Sequence, residues 1–203
     1  MTDATEDARR AAILDAAGGL FVTRGFQATT TLDVARHARV SKRDLYKLFP
    51  SKEALLDAMM AHYSRAMQMP PDLPPPENRA GFFAVLTQFG ERLAAAQFAP
   101  YRIAYMRFAA AEATRTQALG AALIENAARP IRDSLDRFIA TAAARGILAE
   151  ADATLIRDAY FNTLLGPLVL FVVIGARPAP DADEIARRAA QAVDVVRRLI
   201  GPE

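Results

Sequence analysis

Thr30 with Asp33, and Ser41 with Asp44, each set a hydroxyl three residues ahead of a carboxylate at the start of an apolar stripe. This is the pattern of a helix N-terminus whose cap hydroxyl accepts from the third helical amide while the acid reaches back. Two such starts so close together leave each helix roughly two turns, joined by little more than Arg39 and Val40. Val34, Ala35 and Ala38 share the buried side of the first helix, and Leu45, Leu48 and Phe49 that of the second. Helices this short are not stable alone in water, so the chain must seat them on longer ones. The layout is that of a helix-turn-helix.

The flanking sequence supplies those longer elements. Ile13, Ala17, Leu20 and Phe21 recur at helical spacing between about Asp7 and Arg24, with Gly25 as the stop and Phe26 packing back under the helix. Pro50 and Ser51 end the second short helix and cap a further one from Lys52 to about Met67, where Leu55, Leu56, Met59 and Tyr63 face a core. Met69 to Glu77 contains five prolines in nine residues and cannot be helical. It divides the chain into an N-terminal domain, 1–69, and a larger C-terminal domain, 78–203. Helices are expected at about 82–97, 101–113, 116–145, 152–174 and 182–200, with a kink or break at Pro130, Gly146 as a C-terminal stop and Asp152 as a cap. Alanine and leucine dominate and runs of alternating β-branched residues are scarce, so the fold class is all-α.

Without cysteine there is neither a disulfide framework nor a thiolate metal site, and the two histidines, His37 and His62, lack partners at ligand spacing. No metal and no cofactor is expected. The start, MTDATEDARR, does not read as a signal peptide, and Leu164 to Ala176 is shorter than the roughly 20 apolar residues of a membrane span. That run reads as a buried helix, and the protein as cytoplasmic.

The formal charge of +2 conceals a strong asymmetry. Between Arg36 and Lys52 there are six basic residues against the one acid Asp44, a patch suited to phosphate contacts. The helix opening at Ser41 is the candidate recognition helix. Lys42 and Arg43 lie in its first turn, where a helix inserted in the major groove comes nearest to base edges, and Arg43 can pair bidentately with guanine. Tyr46, Lys47 and Lys52 suit phosphate, as do Ser41 at the start of this helix and Thr30 and Thr31 at the front of the preceding one. Asp44 is read as a capping residue rather than a base contact.

At these residues the sequence resembles the helix-turn-helix of the tetracycline-repressor (TetR) family. Thr30, Val34, Ala35, Ala38, Val40, Ser41, Leu45, Tyr46, Phe49, Ser51, Lys52, Glu53 and Leu55 match its pattern. Arg39 stands where the family usually has a turn glycine, at a cost of about 1 kcal/mol for a left-handed conformation, and is a further candidate phosphate contact. Leu48 replaces a frequent histidine or tyrosine and favours core packing.

The resemblance implies a C-terminal ligand-binding and dimerisation domain whose last two long helices pair across a two-fold axis. Leu164, Leu168, Phe171 and Val172 on the first of these, with Ile185, Ala189, Val193, Val196 and Ile200 on the second, are the expected dimer residues. A small apolar or amphipathic effector would meet Phe82, Leu86, Phe89, Tyr105 and Phe108, together with Phe138, Tyr160 and Phe161, with Arg107, Asn126 or Asn162 as polar anchors. Gly166 and Pro167 weaken the helix opposite.

The function expected from these readings is a homodimeric, ligand-responsive transcriptional regulator, a repressor, on a palindromic operator in double-stranded DNA. One alternative keeps DNA binding without a small-molecule effector, the C-terminal domain serving dimerisation or a protein partner. The other is a small helical enzyme, against which stands the lack of any nucleophile, carboxylate–histidine or phosphate-loop motif.

Overall fold

The computed structural model describes residues 2–70, 73–112, 121, 124–148 and 153–201. All regular elements among them are helical: α1 (Thr2–Arg24), α2 (Thr31–His37), α3 (Lys42–Leu48), α4 (Lys52–Met67), α5 (Arg79–Gln97), α6 (Pro100–Glu112), a π-helical turn (Ile124–Ala128), α7 (Arg129–Ala144), α8 (Ala153–Leu164), α9 (Leu168–Val173) and α10 (Ala182–Leu199). By packing, they form two compact units. One holds residues 1–64 and 100–127, the other residues 65–99 and 128–203. The proline-rich segment thus belongs to the second unit, and α6 to the first.

In the first unit, α1 packs on α6 and α2, and α2 on α3. Ile13, Leu14 and Ala17 of α1, Val34 and Ala35 of α2, Leu45 and Phe49 at α3, and Leu55, Leu56 and Met59 of α4 form one buried cluster, joined by Tyr105 and Ala109 of α6. Fully burying a Leu, Ile or Phe contributes about 1.5–3 kcal/mol, enough in sum to hold two helices that lack independent stability.

In the second unit, α10 lies between α5 and α8, and α7 packs on α8. Its amphipathic pattern buries Ala189, Ala192, Val193 and Val196, and Asp181 caps it by accepting from the Glu184 amide at 2.8 Å. Asn78 caps α5 in the same way through the Gly81 amide. The small residues permit close approach: a Cβ on Gly90 would lie 2.6 Å from the Tyr160 hydroxyl and 3.2 Å from Ala189 Cβ. That hydroxyl donates to the Leu86 carbonyl at 2.7 Å in a fully buried position, so it cannot swing away cheaply.

One expectation is met and one changes. The break expected at Pro130 is present: the π-helical turn ends at Ala128 and α7 starts at Arg129, with Pro130 in its first turn. The apolar run Leu164–Ala176 is not simply a buried helix. It is broken between α8 and α9, where Gly166 takes φ +42 and a Cβ would meet the Asn162 carbonyl oxygen at 2.6 Å. Arg188 closes the break, its guanidinium donating to the carbonyls of Leu164 at 2.6 Å and Thr163 at 3.0 Å, orphaned acceptors at the end of α8. Leu168 and Val172 are buried while Leu170, Phe171 and Ile174 are exposed. Among the described residues Ala153–Val173 is apolar and long enough to cross a membrane by composition, although this break interrupts it. The expected cap Asp152 lies outside the described residues.

Gly90→Ala should destabilise the protein by about 1–3 kcal/mol through overpacking against Tyr160. Urea unfolding of Gly90→Ala, Tyr160→Phe and the double variant should show non-additivity, with the double variant less damaged than the sum of the singles. Additive losses would mean that the close approach is not what the glycine serves.

Candidate nucleic-acid interface

Local chemistry builds both short helices. Thr30 is extended, at φ −100 and ψ 157. Its Oγ1 accepts from the Asp33 amide at 3.1 Å while the Asp33 carboxylate accepts from the Thr30 amide at 2.9 Å. The Thr30 hydroxyl also donates to that carboxylate at 2.6 Å. Ser41 starts α3 by accepting from the Asp44 amide at 3.0 Å, and its hydroxyl donates to Asp44 Oδ2 at 2.6 Å. Here the acid bonds the hydroxyl, so the cap is only half a capping box. These bonds, the Ser41 and Thr30 hydroxyls first among the causes, hold Asp44 and Asp33 below the usual carboxylate range. Asp44 is therefore placed as a capping anion rather than a base reader.

The consequence for the site is a division of labour. The hydroxyl hydrogens of Thr30 and Ser41 are committed to carboxylates, so neither is offered to a phosphate in this arrangement. Lys42, Arg43, Tyr46 and Lys47 stand exposed on α3, and Arg36 and Arg39 stand exposed beside them. Thr31 Oγ1 and the Tyr46 hydroxyl are 2.9 Å apart, tying the front of α2 to the middle of α3. The Lys42 ammonium lies 5.7 Å from the Tyr46 ring centroid.

Lys52 is placed differently. Its ammonium sits over the Phe26 ring at 4.1 Å and donates to the Gln27 carbonyl at 3.4 Å. Burial lowers its pKa, with Glu53 opposing. It is half-buried and anchored to the turn before α2. The Phe26 and Gln27 partnership escapes sequence reading because it joins residues distant in the chain. Arg10, whose guanidinium lies 4.7 Å from the Phe49 centroid, escapes it for the same reason.

Arg39 adopts φ +56, the one non-glycine residue with positive φ among those described. Its amide donates to the Arg36 carbonyl at 3.2 Å and the next amide, Val40, to the Ala35 carbonyl at 2.9 Å, so the chain closes off α2 with a left-handed residue. Leu48 is partly buried against the cluster.

The aromatic residues expected around an effector divide between the units. Phe82, Leu86, Phe89, Phe138 and Tyr160 are buried in the second, Phe82 stacking on Phe138 at 5.2 Å and Phe89 on Tyr160 at 6.3 Å. They pack against one another in the core, and Phe138 also lines a cavity. That cavity, about 250 Å³, is bounded by Met69, Pro70, Leu73, Pro75, Ser134, Arg137, Phe138 and Thr141. Phe161 is half-buried and makes an edge contact with Tyr160 at 5.8 Å. Tyr105 and Phe108 belong to the first unit and line a second cavity there, of about 360 Å³, with Arg107 also on its wall. Asn162 is exposed, which removes it as an internal anchor, and the Asn126 side chain lies outside the described residues.

Of the residues expected at a dimer interface, Leu164, Leu168, Val172, Ala189, Val193 and Val196 are buried within the chain itself, because α10 turns its apolar stripe toward α5 and α8. Ile185 and Ile200 are half-buried. Phe171 is 44% exposed, and Leu155, Leu170, Ile174 and Leu199 are exposed with it.

Arg39→Gly should raise stability by about 1 kcal/mol by removing the left-handed penalty, read as a higher urea midpoint at unchanged m-value. A loss of stability would mean that the guanidinium makes contacts outweighing the strain.

Residues 13–59 match the family described as bacterial regulatory proteins, tetR family, and residues 84–199, more than half of the chain, match the AefR-like transcriptional repressor C-terminal domain. The HTH-type transcriptional regulator YvkB of Bacillus subtilis (strain 168), itself uncharacterized, is 40% identical over 52 residues, which cover 26% of this chain and 28% of that protein. Over whole chains the likeness is structural. A TetR transcriptional regulator from Agrobacterium tumefaciens superposes with TM-score 0.80 at 28% identity over 96% of this chain and 95% of its own. The flavonoid-responsive regulator FrrA does so with TM-score 0.65 at 26% identity over 94% and 95%. Its matched families are transcriptional regulators rather than enzymes. The chain belongs to the tetR family of bacterial regulatory proteins, with a C-terminal domain of the AefR-like transcriptional repressor type.

Proposed function

We propose that this protein is a homodimeric, ligand-responsive repressor that binds a palindromic operator in double-stranded DNA, in the cytoplasm. The observation that carries the reading is the face of α3, where Lys42, Arg43, Tyr46 and Lys47 are exposed while the capping groups beneath are paired among themselves. Arg43 is the base reader, by bidentate pairing to guanine; Lys42, Tyr46 and Lys47 hold phosphate, with Arg39 and Thr31 alongside. DNA reading is assigned to residues 1–69, and effector binding and dimerisation to residues 78–203.

Dimerisation is supported by the exposed apolar residues Leu170, Phe171 and Ile174, 57%, 44% and 64% accessible, which a single chain leaves in water. A two-fold dimer carries two recognition helices, matched to two half-sites. For the effector, the cavity beside Phe138 offers an apolar wall of prolines and Met69 with Arg137, Ser134 and Thr141 as polar groups. An apolar or amphipathic molecule fits this lining, and the structural relative FrrA, which is flavonoid-responsive, keeps flat aromatic compounds among the first to screen. Release of DNA follows if the effector binds better to a state whose recognition helices are misplaced.

Selection from random duplexes should return a palindrome. On it, Arg43→Ala should weaken binding by about 1–3 kcal/mol and relax one base position, while Lys47→Ala should weaken all sequences alike and reduce the salt slope by about 1. A sequence-blind or non-palindromic outcome overturns the assignment. Phe171→Glu combined with Ile174→Glu should convert a dimer to a monomer in sedimentation at micromolar concentration. An unchanged mass would place the interface elsewhere.

A further inference from the structure

The first unit contains a cavity of about 360 Å³, larger than the one beside Phe138 and within the range of small-molecule sites. The end of α1, the turn after it, the middle of α4 and the first turns of α6 line it, leaving it half open to solvent. Phe21, Phe26, Tyr101, Tyr105 and Phe108 put five aromatic residues on its wall, Ala104 leaves the room between them, and Arg107 supplies a cation; no acidic residue is among those that line it. Burial raises the pKa of both Tyr101 and Tyr105, so their hydroxyls remain protonated donors across the physiological range; the Asp57 charge acts in the same direction on Tyr105. Aromatic walls favour a flat ring, and a guanidinium with phenolic donors favours an anionic oxygen.

We propose that this cavity is a ligand site inside the first unit, where α6 meets α1 and α4, and that it takes a flat aromatic acid of naphthoate type. Its position gives occupancy a route to the DNA-facing residues. Phe26 packs on Phe108 at 4.2 Å and on Phe21 at 5.1 Å, and the Lys52 ammonium rests on its ring. The Phe26 carbonyl accepts from the Thr29 amide at 3.3 Å, one residue before the cap of α2. A ligand that displaces the Phe26 ring therefore disturbs the seat of Lys52 and the turn into α2 together. This regulatory consequence rests on the operator reading above; the site itself does not.

Calorimetric titration of the full-length protein with 2-naphthoate, without DNA, tests the site directly. Saturable binding is expected, weakened at least tenfold by Ala104→Trp, which fills the cavity, and unaffected by Thr141→Trp in the other cavity. Arg107→Gln should weaken naphthoate several-fold and leave the neutral 2-naphthamide unchanged. If Ala104→Trp melts early, Val22→Trp fills the same cavity from an exposed position. Absence of saturable binding, survival of binding in the filled variants, or its loss in Thr141→Trp overturns the proposal. With the selected operator added, naphthoate should lower DNA affinity of the wild type and not of the filled variant. Binding without that effect keeps the site and overturns its coupling to DNA, and failure to find an operator leaves the DNA-free titration decisive.

Discussion

Helices of seven residues do not persist in water by themselves, and the DNA-facing part of this protein rests on that constraint. Val34, Ala35, Leu45 and Phe49, each at most 1% exposed, seat α2 and α3 on α1 and α4. The Arg10 guanidinium over Phe49 adds a polar lid to the same seat. Because the buried side alone supplies the stability, the outward side of α3 needs no apolar residue and can be given over to Lys42, Arg43, Tyr46 and Lys47. Rigidity also follows: a two-turn helix held by its whole apolar face has little freedom to change orientation unless the seat itself moves.

What could be read from the sequence was what is encoded locally. Caps at Thr30 and Ser41, the left-handed Arg39 and the run of α4 all depend on residues within a turn or two of one another, and the structure agrees with each. Pro130 shows the limit of such reading: proline marks that the helix is interrupted there, while the π-helical form of the preceding turn depends on contacts that the local sequence does not encode. Periodic aromatics show another limit. Phe82, Phe89 and Tyr160 follow the spacing of a buried face whether that face meets a cavity or another helix, and here it meets other side chains. Tyr105 and Phe108 share that spacing yet pack with the first unit, a tertiary choice that spacing does not encode.

Hydrogen-bond commitments sharpen the interface more than charge does. Thr30, Ser41 and Lys52 all match the expected pattern by type, yet two give their hydroxyl hydrogens to carboxylates and the third is held between a ring and a carbonyl. Recruiting any of them to phosphate would first break an existing contact, whereas the exposed α3 cations would lose mainly water and mobile counterions. On the proposed reading, affinity and specificity are concentrated on few side chains. The committed groups set where those side chains stand, so their substitution would alter geometry before it altered charge.

The break between α8 and α9 resolves a conflict in the apolar C-terminal run. A continuous helix over that stretch would carry apolar residues on all sides, with one chain able to bury only part of them. The positive φ of Gly166 ends α8, and the guanidinium of Arg188 takes up the carbonyls left there. Leu168 and Val172 then remain in the core, while Leu170, Phe171 and Ile174 are gathered on the opposite side of α9. Exposed apolar area carries about 25 cal/mol for each Å² returned to a dry environment. Removing that face from water therefore has a driving force of its own, and the short, firmly terminated α9 presents it as a fixed surface that a second copy can match.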